Sequence, residues 1–438
     1  MGTGAFEPCG ACDPCAGALT DVKRSPRSGG DPRYGWTVVS VLAVTETVSW
    51  GVLYYTFAVF LLPMQRSLGW SRTELSGAFS LALAISALAA VPVGRWLDRH
   101  SPRPLMTLGS LTGALLLVAW SRVHDVTVFY LVWVGIGVCM ACVLYEAAFT
   151  VIAKWFYTRR RQALTAVTLA GGWASFIFSP LSNWLINVQG WRSALLTLAG
   201  ILAVATVPLH AIFLRATPDR ISRENLPPAA PAAHWIPEEP HVQAGAALQS
   251  AAFWYLTAAF VFSSFAISAV AVHLIAYLLE GGRGAGFAAF AAGLMGLMQV
   301  PGRILFASAA SVMPRRYHAP AVFLLQGLGL AALALTTAAP GVIAGVCLFG
   351  MGNGMATLIR ATSIADAFGS AFYGTIAGIA AAFALAARAV APAAAAGASV
   401  AFDGYKPLLW LLVAGSIVSA LSARQAYRRL TMSGVTIR

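Results

Sequence analysis

Long apolar stretches broken by short polar or turn-rich segments run through this chain from about residue 36 to residue 423. A helix of roughly 20 apolar residues crosses about 30 Å of hydrocarbon. Runs of that length predict six spans at 36–62, 74–96, 105–121, 126–153, 163–187 and 193–214. Six more follow at 252–279, 287–310, 321–339, 341–365, 375–399 and 407–423, with the faintest break at Pro340. Between the sets, Arg215 to Ser250 holds Pro218, Pro227, Pro228, Pro231, Pro237 and Pro240, too polar and proline-rich to span and therefore read as a linker. The expected organisation is an all-α membrane protein: a disordered tail at 1–33, a six-helix bundle at 34–214, a linker at 215–250, a second bundle at 251–423 and a tail at 424–438.

Composition agrees with this pattern. Of 438 residues, 58% are hydrophobic and only 10% charged, where soluble domains carry about 25% charged residues. Mean hydropathy is +0.73. So little polar surface excludes a soluble enzyme, a disordered chain and a disulfide-knit secreted module. Long runs rather than alternating residues argue against an outer-membrane barrel. The net charge of +13 would suggest nucleic acid in a soluble chain. Here basic residues set orientation instead. With both termini placed inside, 20 of the 29 Lys and Arg face that side and 6 the other, while Arg303, Arg360 and Arg388 lie within spans. Both ends are thus expected in the cytoplasm, with lipid and not nucleic acid as the large-scale partner.

Residues 1–33 hold no apolar segment of signal-peptide type. They do hold Cys9, Cys12 and Cys15, whose two C-x-x-C steps could bind a soft metal but lack a fourth ligand nearby. A plain tail with reduced thiols is the competing reading, and no metal or cofactor is expected. The halves repeat weakly: Gly135, Gly137, Met140 and Ala141 in span four match Gly350, Gly352, Met355 and Ala356 in span ten, offset by 215. Transporters are commonly built from such repeats, with substrate bound between them near mid-bilayer.

After span two the chain reads Gly94-Arg-Trp-Leu-Asp98-Arg99-His-Ser101-Pro102-Arg103. This resembles the G-x-x-x-D-R-x-G-R-[RK] signature of the major facilitator superfamily, with Ser101 and Pro102 as departures. The resemblance, with twelve spans in two sixes, covers about residues 34–430. It implies two pseudo-symmetric six-helix bundles and a latch of Gly94, Asp98, Arg99, Arg103 and Glu146. Asp98 can accept hydrogen bonds from a helix N-terminus, and Arg99 and Arg103 can pair with Glu146 at the inner end of span four. Arg360, with Asp366 as candidate partner, is placed at the inner gate of the second half.

Charges inside a bilayer are costly and point to function. Arginine cannot lose its charge, and its planar fork suits a carboxylate. Arg388, close to the centre of span eleven, and Arg303, about one turn inward of the centre of span eight, are candidate substrate ligands. An Arg in span eight followed by Arg315 and Arg316 resembles monocarboxylate transporters, and a second cation in span eleven resembles oxalate–formate antiporters. Gln299 and Arg388 depart from the acid and the Lys of those families. Trp173, at the repeat position of Arg388, and Tyr54 are candidate cavity aromatics, against a reading as packing. Glu46 is a candidate counter-charge or proton site, and His273 a candidate proton carrier or simply a hydrogen-bonded histidine.

The favoured function is secondary active transport of a small organic anion, a mono- or dicarboxylate, by alternating access with proton symport or anion exchange. The expected form is a monomer in a bacterial inner membrane, not an enzyme, since no catalytic constellation is visible. Drug or hydrophobic-compound efflux is the alternative, although span four lacks an Arg and span five lacks a G-P signature. Soft-metalloid export through Cys139, Cys142 and Cys347 is a third reading, and a sensor that no longer transports a fourth.

Overall fold

The computed structural model describes Gly2 and residues 32–156, 159–215, 242–309, 313–336 and 338–432. Cys9, Cys12, Cys15 and most of the linker lie outside the described residues. The described chain is helical, and its eleven long apolar helices make it an integral multi-pass membrane protein. One of these, Arg160–Phe213, has 54 residues. A straight helix of that length would measure about 80 Å, more than twice the hydrocarbon thickness. Gly190 resolves this: at φ 78° and ψ 159° it leaves the helical region and folds the chain back. Spans five and six therefore share that stretch, and the crossings number twelve.

The first span comprises Pro32–Trp50, a π-helical turn at Gly51–Tyr55, and Thr56–Leu68. Arg72–Arg99 and Pro102–Ser121 are the second and third, and the fourth is Val126–Val143 plus Tyr145–Trp155. Span five begins as Arg160–Gly172, and Ala174–Phe213 completes it and forms span six. Span seven is Ala251–Glu280; span eight is Ala285–Leu297 plus Gln299–Ala309. His318–Leu335, Ala339–Phe368, Tyr373–Ala401 and Tyr405–Met432 complete the set.

Local chemistry explains many of the ends. Ser71 and Glu74 form a reciprocal capping box at the start of span two, and Asp125 accepts from the Thr127 and Val128 amides at the start of span four. Such caps satisfy the orphan amides of a first turn. Pro340 falls in the first turn of span ten, where its missing N–H costs nothing. Span nine accordingly stops at Leu335, short of the expected 339. The expected linker holds a short helix, Ala244–Gln249. The last helix continues to Met432, past the expected 423, because Ala423, Ala426, Tyr427 and Leu430 form a buried stripe. Its arginines mark the membrane edge and not the helix end.

Packing divides the spans into two bundles that meet along spans two and eleven. Small residues permit that contact: a Cβ on Gly94 would overlap the Gly374 carbonyl, and one on Gly378 would meet that of Ala90. The side carrying both helical ends of the chain is called inner here. The inner helices of spans four, five and eight pack across the divide, onto spans eleven, eight and ten, and five respectively. Their outer helices pack mainly within their own bundles. The molecule is closed at the inner side.

Gly190 has nothing within 4 Å of where a Cβ would stand, so its requirement for glycine is purely one of backbone angle. Gly190→Ala should destabilise by about 1–3 kcal/mol. Gly200→Ala, in a helix with equal free space, should be neutral or stabilise by about 0.5–1 kcal/mol. Thermal unfolding of both variants in detergent checks the contrast.

Candidate functional site

Four spans depart from a regular helix part-way along their length. Span one has its π-helical turn at Gly51–Tyr55, span four an extended residue at Leu144, span five a break at Trp173 and span eight one at Met298. The departure is largest at Leu144, which is extended as residues of discontinuous helices are at transporter sites, whereas Trp173 and Met298 keep right-handed helical angles and Met298 keeps its bonds to Leu294 and Gly302. The turn in span one needs Gly51, because a Cβ there would collide with the Phe178 ring of span five. The turn groups Trp50, Tyr54 and Tyr55, whose centroids lie 5.1–6.2 Å apart, and Trp50 stands 4.9 Å from Tyr145 beyond the Leu144 break. Tyr54 also contacts Phe79 at 5.3 Å.

Arg303 crosses into this cluster from the other bundle. It is 4% exposed, and its Nη1 donates to the Thr168 carbonyl of span five. Two glycines make the space: a Cβ at Gly172 would crowd Arg303 Nη1, and one at Gly171 would overlap the Tyr145 hydroxyl. Tyr145 lies within electrostatic reach of Arg303, Glu46 and Tyr55. Tyr55 in turn feels both Arg303 and Arg388. The two arginines thus act on a common aromatic cluster. No carboxylate pairs with either among the described residues, and Arg303 Nε has no hydrogen-bond acceptor.

Glu46, on span one of the first bundle, is 0% exposed. The Trp50 indole lies beside it, yet neither carboxyl oxygen makes a hydrogen bond of proper geometry. Glu146 is close enough to act on it electrostatically.

The inner side is tied by charge. Asp98 accepts from the Gly374 amide at 2.9 Å and from the Thr375 amide and hydroxyl at 2.6 Å each, capping the first turn of span eleven. Lys154 of span four pairs with Asp98 at 3.1 Å and donates to the Leu97 carbonyl. Glu146 pairs with Arg360 across the bundles. The expected partners therefore change. Arg103 does not reach Glu146; it donates to the Leu214 and Ile212 carbonyls at 3.1 and 3.2 Å, where the end of span six leaves carbonyls unsatisfied. Glu146 takes Arg360 instead, a residue one position from its repeat equivalent. Asp366 is six residues past Arg360 and so on another face of the same helix; it pairs with Arg315 at 3.1 Å. Arg99 follows Asp98 at the end of span two.

His273 makes two hydrogen bonds inside the second bundle, to Tyr405 at 3.1 Å and to the Pro392 carbonyl at 2.9 Å. Trp173 is 50% exposed and contacts Phe176. Cys139, Cys142 and Cys347 do not gather into a metal-ligating group among the described residues, so the three-thiolate reading has no geometric basis. Sequence reading passed over Lys154, Thr375 and Tyr145 as site residues. Lys154 counts there only as one more orienting charge, and no sequence signal marked Thr375 or Tyr145. It also passed over His210, buried against Ser110 and the Met106 carbonyl.

Residues 42–392 match the family model described as Major Facilitator Superfamily. The chain is 25% identical over 358 residues to Monocarboxylate transporter 13 of Bos taurus, covering 80% of this chain and 78% of that one. It is 28% identical over 150 residues to the Probable L-galactonate transporter of Escherichia coli K12, covering 34% and 33%. Among solved structures it resembles the transporter FucP in the outward conformation, with TM-score 0.70 at 15% identity over 91% of this chain and 99% of that one. It also resembles the human organic anion transporter MFSD10, with TM-score 0.67 at 13% identity over 90% and 99%.

The Glu146–Arg360 pair yields a test of the inner closure. Glu146→Gln and Arg360→Gln should each lower thermal stability, and the double variant should lose less than their sum by about 1–3 kcal/mol. Strict additivity in the unfolding midpoints would show that the pair contributes nothing to closure.

Proposed function

The chain belongs to the major facilitator superfamily, a family of transporters, and we propose that this member carries a small organic anion by alternating access of its two bundles. The observation that supports this most is Arg303. A guanidinium held in a dry interior without a carboxylate is a large cost unless something else supplies the negative charge. Of the acids in or at the ends of the spans, Asp98 is engaged with Lys154, Glu146 with Arg360 and Asp366 with Arg315, and Glu46 makes no ion pair with Arg303. A substrate carboxylate is the natural complement to Arg303, with Arg388 attracting it from span eleven. Tyr145, Tyr54, Tyr55 and Trp50 are the surfaces on which its organic body would rest. The names of the similar proteins, a monocarboxylate transporter, a sugar-acid transporter and an organic anion transporter, agree with an anionic cargo.

In this reading Glu46 is the proton site. It is a carboxyl without a counter-charge, and an ionised carboxylate left so is far costlier than a neutral one. Gaining a proton in one state and losing it in the other would couple transport to a pH gradient. The Asp98, Gly374 and Thr375 contacts and the Glu146–Arg360 pair act as the inner gate, holding the outward-facing state until the bound anion offsets the arginine charge. Both termini lie in the cytoplasm, in keeping with the charge bias, and the organic anion and the proton are the small partners of a single copy in a bacterial inner membrane.

Liposome uptake of a labelled carboxylate panel, with and without a pH gradient, tests the reading. Losing a charge-assisted fork is worth about 1.5–3 kcal/mol. Arg303→Gln or Arg388→Gln should therefore reduce uptake by about 10- to 150-fold. Glu46→Gln should keep counterflow exchange but abolish gradient-driven accumulation. Unaltered carboxylate uptake in folded Arg303→Gln protein would sink the anion site.

A further inference from the structure

A groove lies on the inner rim of the second bundle, away from the transport path, between the start of span seven and the end of span twelve. It encloses about 300 Å³ and is lined by Tyr255, Leu421, Ser422, Arg424, Gln425 and Arg428. Arg424 and Arg428 stand one helical turn apart, so their guanidinium groups share a face, and both are exposed. No acid lines the groove, and neither arginine has an ion pair among the described residues. A tyrosine, a serine and a glutamine add hydrogen-bonding groups, while Leu421, 58% exposed, continues the lining toward the hydrocarbon.

Orientation of the helix explains basic residues at this depth, but not their arrangement. The bias that sets topology depends on which side a charge lies, not on which face of the helix bears it. Arg429 meets that need while standing outside the groove lining. Arg424 and Arg428 instead converge with neutral donors on one concavity at the membrane edge. Two planar forks match phosphate oxygens, and basic pockets between helices at this leaflet suit anionic headgroups. The apolar residue on the membrane side suits an acyl chain, which a free phosphate lacks.

We infer that this groove is a binding site for the phosphate headgroup of an anionic phospholipid, held by Arg424 and Arg428 with Tyr255, Ser422 and Gln425 around it. Occupancy would bridge spans seven and twelve at the inner leaflet. Because span twelve is tied to span ten by the Tyr427–Ser363 hydrogen bond at 3.0 Å, the lipid would brace the frame on which Arg360 and Asp366 stand.

Native mass spectrometry of the full chain in detergent, titrated with phosphatidylglycerol or phosphatidylcholine, provides the test. The wild type should retain one phosphatidylglycerol in preference to phosphatidylcholine. R424Q/R428Q should weaken that binding about thirtyfold, at roughly a factor of five for each basic group. R429Q, which removes a charge outside the groove, should bind as the wild type does, and R424K/R428K should recover part of the affinity. Millimolar inorganic phosphate should not displace the lipid. Equal phosphatidylglycerol retention by wild type and R424Q/R428Q, equal losses in R429Q and R424Q/R428Q, or displacement by inorganic phosphate would overturn the assignment.

Discussion

A hydrocarbon interior does not solvate charge, and the arrangement of this molecule follows from how each buried charge is answered. Asp98 is answered by two backbone amides, a hydroxyl and Lys154. Hydrogen bonds to a charged group are worth about 1.5–3 kcal/mol each. The set therefore outweighs any single apolar contact in the interface between spans two and eleven. Glu146 is answered by Arg360 from the other bundle. These groups all lie on one side, which is why the bundles meet firmly there.

The charges without an answer carry the functional argument. Arg303 meets only a carbonyl and the neighbourhood of a tyrosine hydroxyl, and Glu46 only an indole. They come from different bundles, with Tyr145 within reach of both. The residue after Tyr145 is Glu146, which pairs with Arg360. In the proposed cycle a shift of Tyr145 on anion binding would pass directly to the Glu146–Arg360 pair. The proposed transport cycle needs no longer path between cargo and closure than this one peptide unit.

Much of this was legible in the sequence. Hydrophobic run length alone gave twelve crossings, because an apolar bilayer sets the helix length without reference to any neighbour. Asp98 beside Gly94 stood out as a loop signature, and Glu46, Arg303 and Arg388 were conspicuous because each breaks an apolar run. Local turn chemistry was less legible at the ends. The arginines of 424–429 looked like a tail, whereas a buried stripe of Ala423, Ala426, Tyr427 and Leu430 carries the helix on.

Pairing was another matter. Which acid meets which base depends on how two bundles are set against one another, and a linear chain does not encode that distance. Arg103 turned to the carbonyls of span six, Glu146 to Arg360 and Asp366 to Arg315, each by spatial neighbourhood and not by spacing. The roles of Gly171 and Gly172 emerged only when Tyr145 and Arg303 were seen to occupy the space that side chains there would fill. The sequence determined the solvent, the helices and the few charges that need explanation, because those depend on each segment alone. Only the tertiary structure decided which of those charges are satisfied and which remain open, because that depends on contacts between segments far apart in the chain.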